Sequence, residues 1–374
     1  MHRSEIQLPA NTSALRRSNI ELLRILVMFL IVAHHFSIHG GFTFPVDTVS
    51  INRLWIQFIQ LGGKLGVDVF VLISGYFLIH AESLKTNRIV RLWFQIFSYS
   101  IVIFAVFILT GRESFRLKEL IKHLFPVTYT QWWFASSYFV LYLLHPFLNS
   151  FLKTLDRERY VKLLLLLSLC WCIIPTFLAM SFQSNYLLWF MFLYALAGYI
   201  RLYGFPPSLS AGKCLLLHFL CMLLTFGSAV VLDILGTRIP VLAAKATFFY
   251  DMEMLPIFLA ALFLFLSFLK LDIGSRPLIN SVSAAMFGVY LIHDHPYVRR
   301  FLWQSVFANA FHADSHLLIP YSLLVISLVF VGCTAIELFR IHVLEKLFVP
   351  VTDGIVNLAD MIETRVLLRF QSRR

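Results

Sequence analysis

The chain has 374 residues, of which 59% are hydrophobic and 14% are charged, and its formal net charge is +11. Soluble domains have about 45–50% apolar and about 25% charged residues, so this composition excludes a soluble domain wrapped in a charged surface. The Lys and Arg residues stand in short stretches between apolar runs, with no basic face and no nucleic-acid motif, and this argues against a nucleic-acid partner.

The apolar runs predict an all-α fold, a polytopic transmembrane bundle of about ten spans, because a spanning helix needs about 20 mostly apolar residues. The runs are 19–38, 60–80, 92–110, 132–152, 162–180, 186–203, 214–235, 252–271, 281–297 and 318–338. The second and the ninth are short or partly polar, and the short connections leave no room for a second soluble domain. We therefore expect a segment 1–18, a transmembrane domain 19–338 and a basic tail 339–374 that forms an interfacial helix.

The distribution of basic residues predicts the orientation. With the N-terminus in the cytoplasm, the inner segments hold about twice as many Lys and Arg residues as the outer ones, in agreement with the positive-inside rule. Both termini are then cytoplasmic, and the basic loop 111–131 goes against the trend.

The first apolar run is longer than the core of a signal peptide and lacks a small-residue cleavage site, so we expect it to be the first span. The 5 cysteines fall in apolar segments, without disulfide or zinc spacing.

Ionisable residues inside a span are candidate functional residues, because charge is costly in hydrocarbon. In the first span, Arg24 and His35 are eleven residues apart, which puts both on one helix face about 16 Å apart along the axis. His34 falls about 80° from that face, and Glu21 can pair with Arg24. We therefore expect His35 to share a polar groove with Arg24. The alternative is that Arg24 reaches the inner interface and the histidines lie at the outer one.

The second span contains Asp68, which has no counter-charge nearby in the sequence and needs a partner from another helix. A histidine or arginine of the first span would serve, unless Asp68 lies just outside the bilayer. Gly66, Ser74 and Gly75 are small enough to let another helix approach closely.

The loop after the second span contains Arg88 and Arg91, which share a helix face. Their guanidinium groups suit the phosphates of coenzyme A, although basic residues are also expected there for orientation.

In the ninth span, Tyr290 and His293 share a face. His293 and His295 do not make a metal site by themselves, since three or four converging ligands are needed, and we expect no metal.

Four stretches in this order resemble acyltransferase family 3 of bacterial membrane proteins. They are Arg24-X10-His35; the run 66–76 followed by Arg88-X-X-Arg91; the Trp-aromatic-X-X-Ser stretch that begins at Trp132 and includes Trp133 and Ser136; and Tyr290-Leu-Ile-His293. The resemblance implies a ten-span enzyme of the bacterial cytoplasmic membrane that takes an acyl group, usually acetyl, from acyl-CoA. The implied acceptor is a hydroxyl of a cell-surface or lipid-linked glycan. The thioester drives the reaction, so the resemblance implies no metal.

The resemblance also suggests roles for these residues. We expect His35 to act as general base or transient acyl acceptor, because an imidazole has an unperturbed pKa of about 6.5. Asp68 would orient that imidazole, and Arg24 would hold the phosphate arm of the coenzyme or the developing oxyanion. Arg88 and Arg91 would bind phosphate. The residues expected to contact the acceptor are Tyr290, His293, Trp133 and Ser136.

Two other functions fit the same residues. Intramembrane Arg, Asp and His on several helices are also typical of a proton-coupled transporter, although the chain lacks the repeated halves and broken helices that transporters often show. A different type of membrane acyltransferase, with a single buried histidine, would keep the chemistry and change the fold.

Overall fold

A computed structural model describes residues 18–371, apart from the side chains at 363 and 366–371. Within that range the chain forms helices and connecting loops, with no β-strand, so the predicted all-α class is confirmed. Of the predicted segment 1–18, only Ser18 belongs to the described residues, and Arg373 and Arg374 of the basic tail lie outside them.

The helices account for most of the predicted runs. In chain order they are α1 (Ser18–His39), α2 (Ile51–Gln60), α3 (Gly62–Leu78), α4 (Thr86–Leu109), α5 (Leu117–Leu124), α6 (Trp133–Thr154), α7 (Arg157–Ser168), α8 (Ile174–Leu178), α9 (Tyr186–Tyr203), α10 (Ala211–Gly236), α11 (Pro240–Ala243), α12 (Leu255–Lys270), α13 (Pro277–Ala284), α14 (Met286–His293), α15 (Pro296–Arg300), α16 (Leu318–Phe339) and α17 (Glu345–Gln371). Single π-helical turns join α7 to α8 and α16 to α17.

Eight stretches of the described residues are long and apolar enough to cross a membrane, which fits a polytopic bundle. They are α1, α2 with α3, α4, α7 with α8, α9, α10, α11 with α12, and α16 with α17. The predicted fourth run is α6, a helix of 22 residues that carries the polar side chains His145 and Asn149. The predicted ninth run is the shorter apolar stretch Pro277–His293, which is divided at Ala285 into α13 and α14.

Helix α3 packs against α1, α9 and α12, and two of its glycines explain how closely the neighbours approach. A Cβ on Gly66 would lie 2.9 Å from Ile31 Cγ1 and 3.0 Å from the Val27 carbonyl oxygen of α1. A Cβ on Gly75 would lie 2.7 Å from the Tyr194 carbonyl oxygen of α9. Both glycines therefore permit the close helix contacts that the sequence predicts.

The polar residues of α6 also have a structural use. Asn149 donates hydrogen bonds to the carbonyl oxygens of Leu78 (2.7 Å) and Ala81 (2.8 Å), where α3 ends, and it accepts one from the Tyr194 hydroxyl (2.7 Å). These bonds satisfy carbonyl groups that the end of a helix leaves without intrahelical partners. They also hold α3, α6 and α9 together.

The basic tail continues the last span as a helix. At the π-helical turn, the Arg340 Nε and Nη2 atoms each donate to buried Glu337 at 2.8 Å, and Glu337 also accepts from Gln95 (2.9 Å) and from the Tyr99 hydroxyl. Helix α17 then packs on α4. The cytoplasmic, interfacial position of this tail stays a prediction.

Replacing Gly75 with Ala tests the packing of α3 on α9. The added methyl group would meet backbone atoms of α9, which cannot rotate away, and overpacking of this kind costs about 1–3 kcal/mol. We expect the thermal unfolding midpoint of the detergent-solubilised protein to fall by several degrees. The matched control is Gly227→Ala in α10, where a Cβ has no neighbour within 4 Å, and its midpoint should stay level or rise. Equal midpoints for the two variants would contradict this packing.

Candidate active site

A cavity of about 430 Å³ runs beside α1, from Arg24 to His39. Arg24 and His35 both line it, as expected from their spacing on one helix face. The other walls come from α3, α6, α13 and α14, with Leu92 of α4 and Arg299 of α15. We refer to its two ends as the Arg24 end and the His39 end.

At the Arg24 end, an ion pair holds the arginine in position. Arg24 Nη1 donates to the two carboxylate oxygens of Glu21 at 3.0 and 3.1 Å, and Glu21 also accepts from the Ser283 hydroxyl of α13. A guanidinium has five N–H donors, and the hydrogen bonds within residues 18–371 engage Nη1 alone. Arg24 therefore presents further donors, and its side chain is 27% exposed.

At the other end of the same face, His35 is buried against His293 of α14. His293 Nδ1 lies 2.6 Å from the Val289 carbonyl oxygen, and His293 Nε2 lies 2.8 Å from His35 Nδ1. A carbonyl oxygen can only accept, so His293 Nδ1 carries the hydrogen, and a neutral ring then has a lone pair on Nε2. His35 Nδ1 must donate to that lone pair. The remaining nitrogen, His35 Nε2, is thus left with a lone pair able to accept a proton.

Three charged or polar groups surround the free nitrogen of His35. Asp294 Oδ1 lies 3.9 Å from His35 Nε2 and 3.5 Å from His39 Nε2. Arg299 Nε lies 3.5 Å from the same oxygen. The Asp294 side chain is 3% exposed, so its carboxylate is a buried anion held near two imidazoles and one guanidinium.

Lys64 and Trp133 also line the cavity. Lys64 Nζ lies 4.6 Å from the centre of the Trp133 ring, in cation–π geometry, and 3.8 Å from a carboxylate oxygen of Asp251. Tyr290 lines the same space, with its ring centre 6.4 Å from that of His35. The His39 end therefore combines aromatic faces with hydrogen-bonding groups.

Asp68 is not where the sequence analysis expected it. It is fully buried, and its Oδ1 accepts a hydrogen bond from Trp189 Nε1 of α9 at 2.9 Å. Val67 lines the cavity, and the next residue of a helix points about 100° away, which directs Asp68 to α9. The predicted pairing of Asp68 with His35 is therefore wrong. His293 and Asp294 occupy the positions beside His35 that we had assigned to Asp68.

Of the other predicted site residues, some line the cavity and others lie outside it. Trp133 and Tyr290 line the cavity, whereas His293 lies behind His35 and reaches it only through that ring. Ser136 is buried and does not line the cavity, which α6 reaches with Trp133, Phe134 and Tyr138. The predicted contact of Ser136 with the acceptor is thus not supported by its position.

Arg88 and Arg91 are exposed near the start of α4, just before Leu92, which lines the cavity. Arg88 is within hydrogen-bonding reach of Tyr142. Neither arginine lines the cavity itself.

Four residues of the site were missed in the sequence: His39, Lys64, Asp294 and Arg299. His39 follows His35 by four residues, so helical periodicity alone would have placed it on the same face. Asp294 directly follows His293. Lys64 and Arg299 belong to the outer basic residues of the predicted topology, and no local pattern indicates that they reach the cavity. His295 instead packs against Trp132, at 5.3 Å between ring centres, so it does not converge with His293.

The model of acyltransferase family 3, described as an acyltransferase domain, matches residues 17–338. No curated protein and no solved structure matches the chain. The matched range includes every residue that lines the cavity.

Substitution of Asp68 tests its role as the hydrogen-bond acceptor of Trp189. Asp68→Asn keeps an oxygen that can accept from Trp189, whereas Asp68→Leu leaves that buried N–H without an acceptor, which costs about 1–3 kcal/mol. We expect a thermal unfolding midpoint near that of the wild type for Asp68→Asn and a clearly lower one for Asp68→Leu. Equal destabilisation by both variants would show that the Trp189 hydrogen bond is not what Asp68 provides.

Proposed function

Because this chain belongs to acyltransferase family 3, we propose that it is an O-acyltransferase that moves an acetyl or other short acyl group from acyl-CoA to a glycan hydroxyl. The chain is a multi-pass membrane protein and an acyltransferase; the donor and the acceptor are the proposal. One observation carries it: His35 presents an unprotonated Nε2 beside a cavity whose far end holds a guanidinium. The family match does not favour the alternative function, that of a proton-coupled transporter.

The donor side is argued from the shape and charge of the cavity. Between Arg24 and His35, about 16 Å along the helix axis, the walls include the apolar side chains of Met28, Ile31 and Phe70. An uncharged, flexible pantetheine arm suits such a passage. The phosphates of the coenzyme would then stay at the Arg24 end, where Arg24, Arg88 and Arg91 offer guanidinium groups.

The chemical step follows from the tautomer of His35. His35 Nε2 takes the proton of the acceptor hydroxyl while the hydroxyl oxygen attacks the thioester carbonyl carbon. The carbon–sulfur bond breaks, the proton passes from His35 to the departing sulfur, and the products are the glycan ester and free coenzyme A. Asp294, 3.9 Å from Nε2, stabilises the imidazolium that forms in between. His293 holds the ring through Nδ1.

The acceptor is assigned to the His39 end. Trp133 and Tyr290 offer aromatic faces for a sugar ring, and Lys64 and Arg299 offer hydrogen-bond donors. The positive-inside count orients the Arg24 end to the cytoplasm, where acyl-CoA is made. On that orientation, with both termini in the cytoplasm of a bacterial cell, the acceptor enters from the outer face of the cytoplasmic membrane.

Replacing His35 with Ala tests the base. Loss of a general base lowers rates by about 10²–10⁴-fold, so we expect transfer of label from radioactive acetyl-CoA to the surface glycan of a gene-deleted host to be abolished. The control is His218→Gln, because His218 is a buried histidine that does not line the cavity, and its Nδ1 contacts the Ala260 carbonyl oxygen at 2.9 Å, where a glutamine amide can replace that donor. Transfer by His218→Gln should remain close to that of the wild type. Full activity of His35→Ala at equal expression would refute the assignment.

A second experiment separates the two roles considered for Arg24, using acetyl-CoA and acetyl-pantetheine as alternative donors. If Arg24 binds phosphate, Arg24→Gln should raise the KM for acetyl-CoA about tenfold, equivalent to about 1.4 kcal/mol, and leave that for acetyl-pantetheine unchanged. The control is Arg276→Gln, an exposed arginine at the same end of the bundle. An equal loss with both donors would show that Arg24 does not act through the phosphates and would contradict this placement of the coenzyme.

A further inference from the structure

Three side chains at the His39 end converge in a way that the transfer reaction does not require. One ligand atom each of His35, His39 and Asp294 lies within 4.8 Å of the others, and Asp294 Oδ1 is 3.9 Å from His35 Nε2 and 3.5 Å from His39 Nε2. Ligand atoms bound to one zinc ion at about 2.0–2.2 Å lie roughly 3–4 Å apart. Small side-chain rotations would therefore let the three atoms bind a single ion.

The surroundings of His35 have the form typical of a metal-binding histidine. Such a ring almost always donates its second N–H to another group, which orients it. His35 Nδ1 donates to His293 Nε2 at 2.8 Å, and His293 is in turn held by the Val289 carbonyl oxygen. The lone pair of His35 Nε2 is thereby directed to the side where Asp294 lies. The adjoining cavity leaves room for a water molecule as a fourth ligand, as in open three-ligand sites.

We propose that His35, His39 and Asp294 form a binding site for a divalent transition-metal ion, and that an ion bound there inhibits acyl transfer. Two imidazole nitrogens and one carboxylate oxygen suit Zn²⁺ or Co²⁺, whereas Mg²⁺ and Ca²⁺ prefer oxygen ligands. The inhibitory part rests on the proposed function, since the ion takes the lone pair that otherwise accepts the hydroxyl proton. Arg299, 3.5 Å from the same carboxylate oxygen, opposes the ion and makes binding reversible.

The test is a titration of the full-length protein in detergent, freed of metal with EDTA, with Zn²⁺ by calorimetry and with Co²⁺ by visible absorption. We expect one ion per chain. His39→Ala and Asp294→Asn should weaken binding about 100-fold, whereas His80→Ala, which removes an exposed histidine outside the cavity, should not. Arg299→Gln should tighten binding, which an unfolded variant would not do. Binding that is absent from the wild type, or unchanged in both His39→Ala and Asp294→Asn, overturns the site.

A transfer assay on the same preparations distinguishes the two proposals. We expect Zn²⁺ to inhibit the wild type, and we expect the same fractional inhibition of the transfer that His39→Ala retains to need a much higher Zn²⁺ concentration. If Zn²⁺ binds stoichiometrically without inhibiting transfer, the inhibitory role is overturned and His35 is not the base. If Zn²⁺ does not bind while transfer still depends on His35, the metal site fails and the proposed function stands.

Discussion

The hydrogen bond between His35 and His293 is the interaction on which the site depends. It joins the first span to α14, 258 residues later in the chain, and it is made between two buried rings. Because His293 is itself fixed by the Val289 carbonyl oxygen, the bond determines which nitrogen of His35 carries hydrogen. The reactivity of the ring is therefore set by a backbone carbonyl of another helix, two hydrogen bonds away.

Two buried carboxylates of the described part of the bundle are paired with arginines, as expected where an unpaired charge is costly. Arg53 Nη2 donates to buried Asp233 at 2.5 Å, and Glu337 accepts from Arg340 at 2.8 Å. The first pair joins α2 to α10, and Glu337 joins α16 to α4 through its hydrogen bonds with Gln95 and Tyr99. Within the cavity the pairing is looser, since Asp294 Oδ1 is no closer than 3.5 Å to its charged neighbours.

The base and the metal site use the same lone pair, and this explains why one cluster supports two proposals. A neutral imidazole nitrogen that can accept a proton can also bind a transition metal. Whether this nitrogen accepts a proton or binds a metal ion depends on which other groups lie beside it. His39 and Asp294 favour the ion, whereas Arg299 disfavours it and favours an anionic or polar substrate group.

The sequence by itself determined what depends on composition and on short helical spacing. The apolar runs predicted an all-α polytopic bundle, and the eleven-residue interval predicted that Arg24 and His35 face one cavity, because both lie on a single helix. Only the tertiary structure decided the partners. Asp68 meets Trp189 rather than His35, and His35 meets His293, because these contacts join residues 121 and 258 positions apart on different helices. Such contacts depend on how helices rotate and pack against each other, which the periodicity of one helix does not contain.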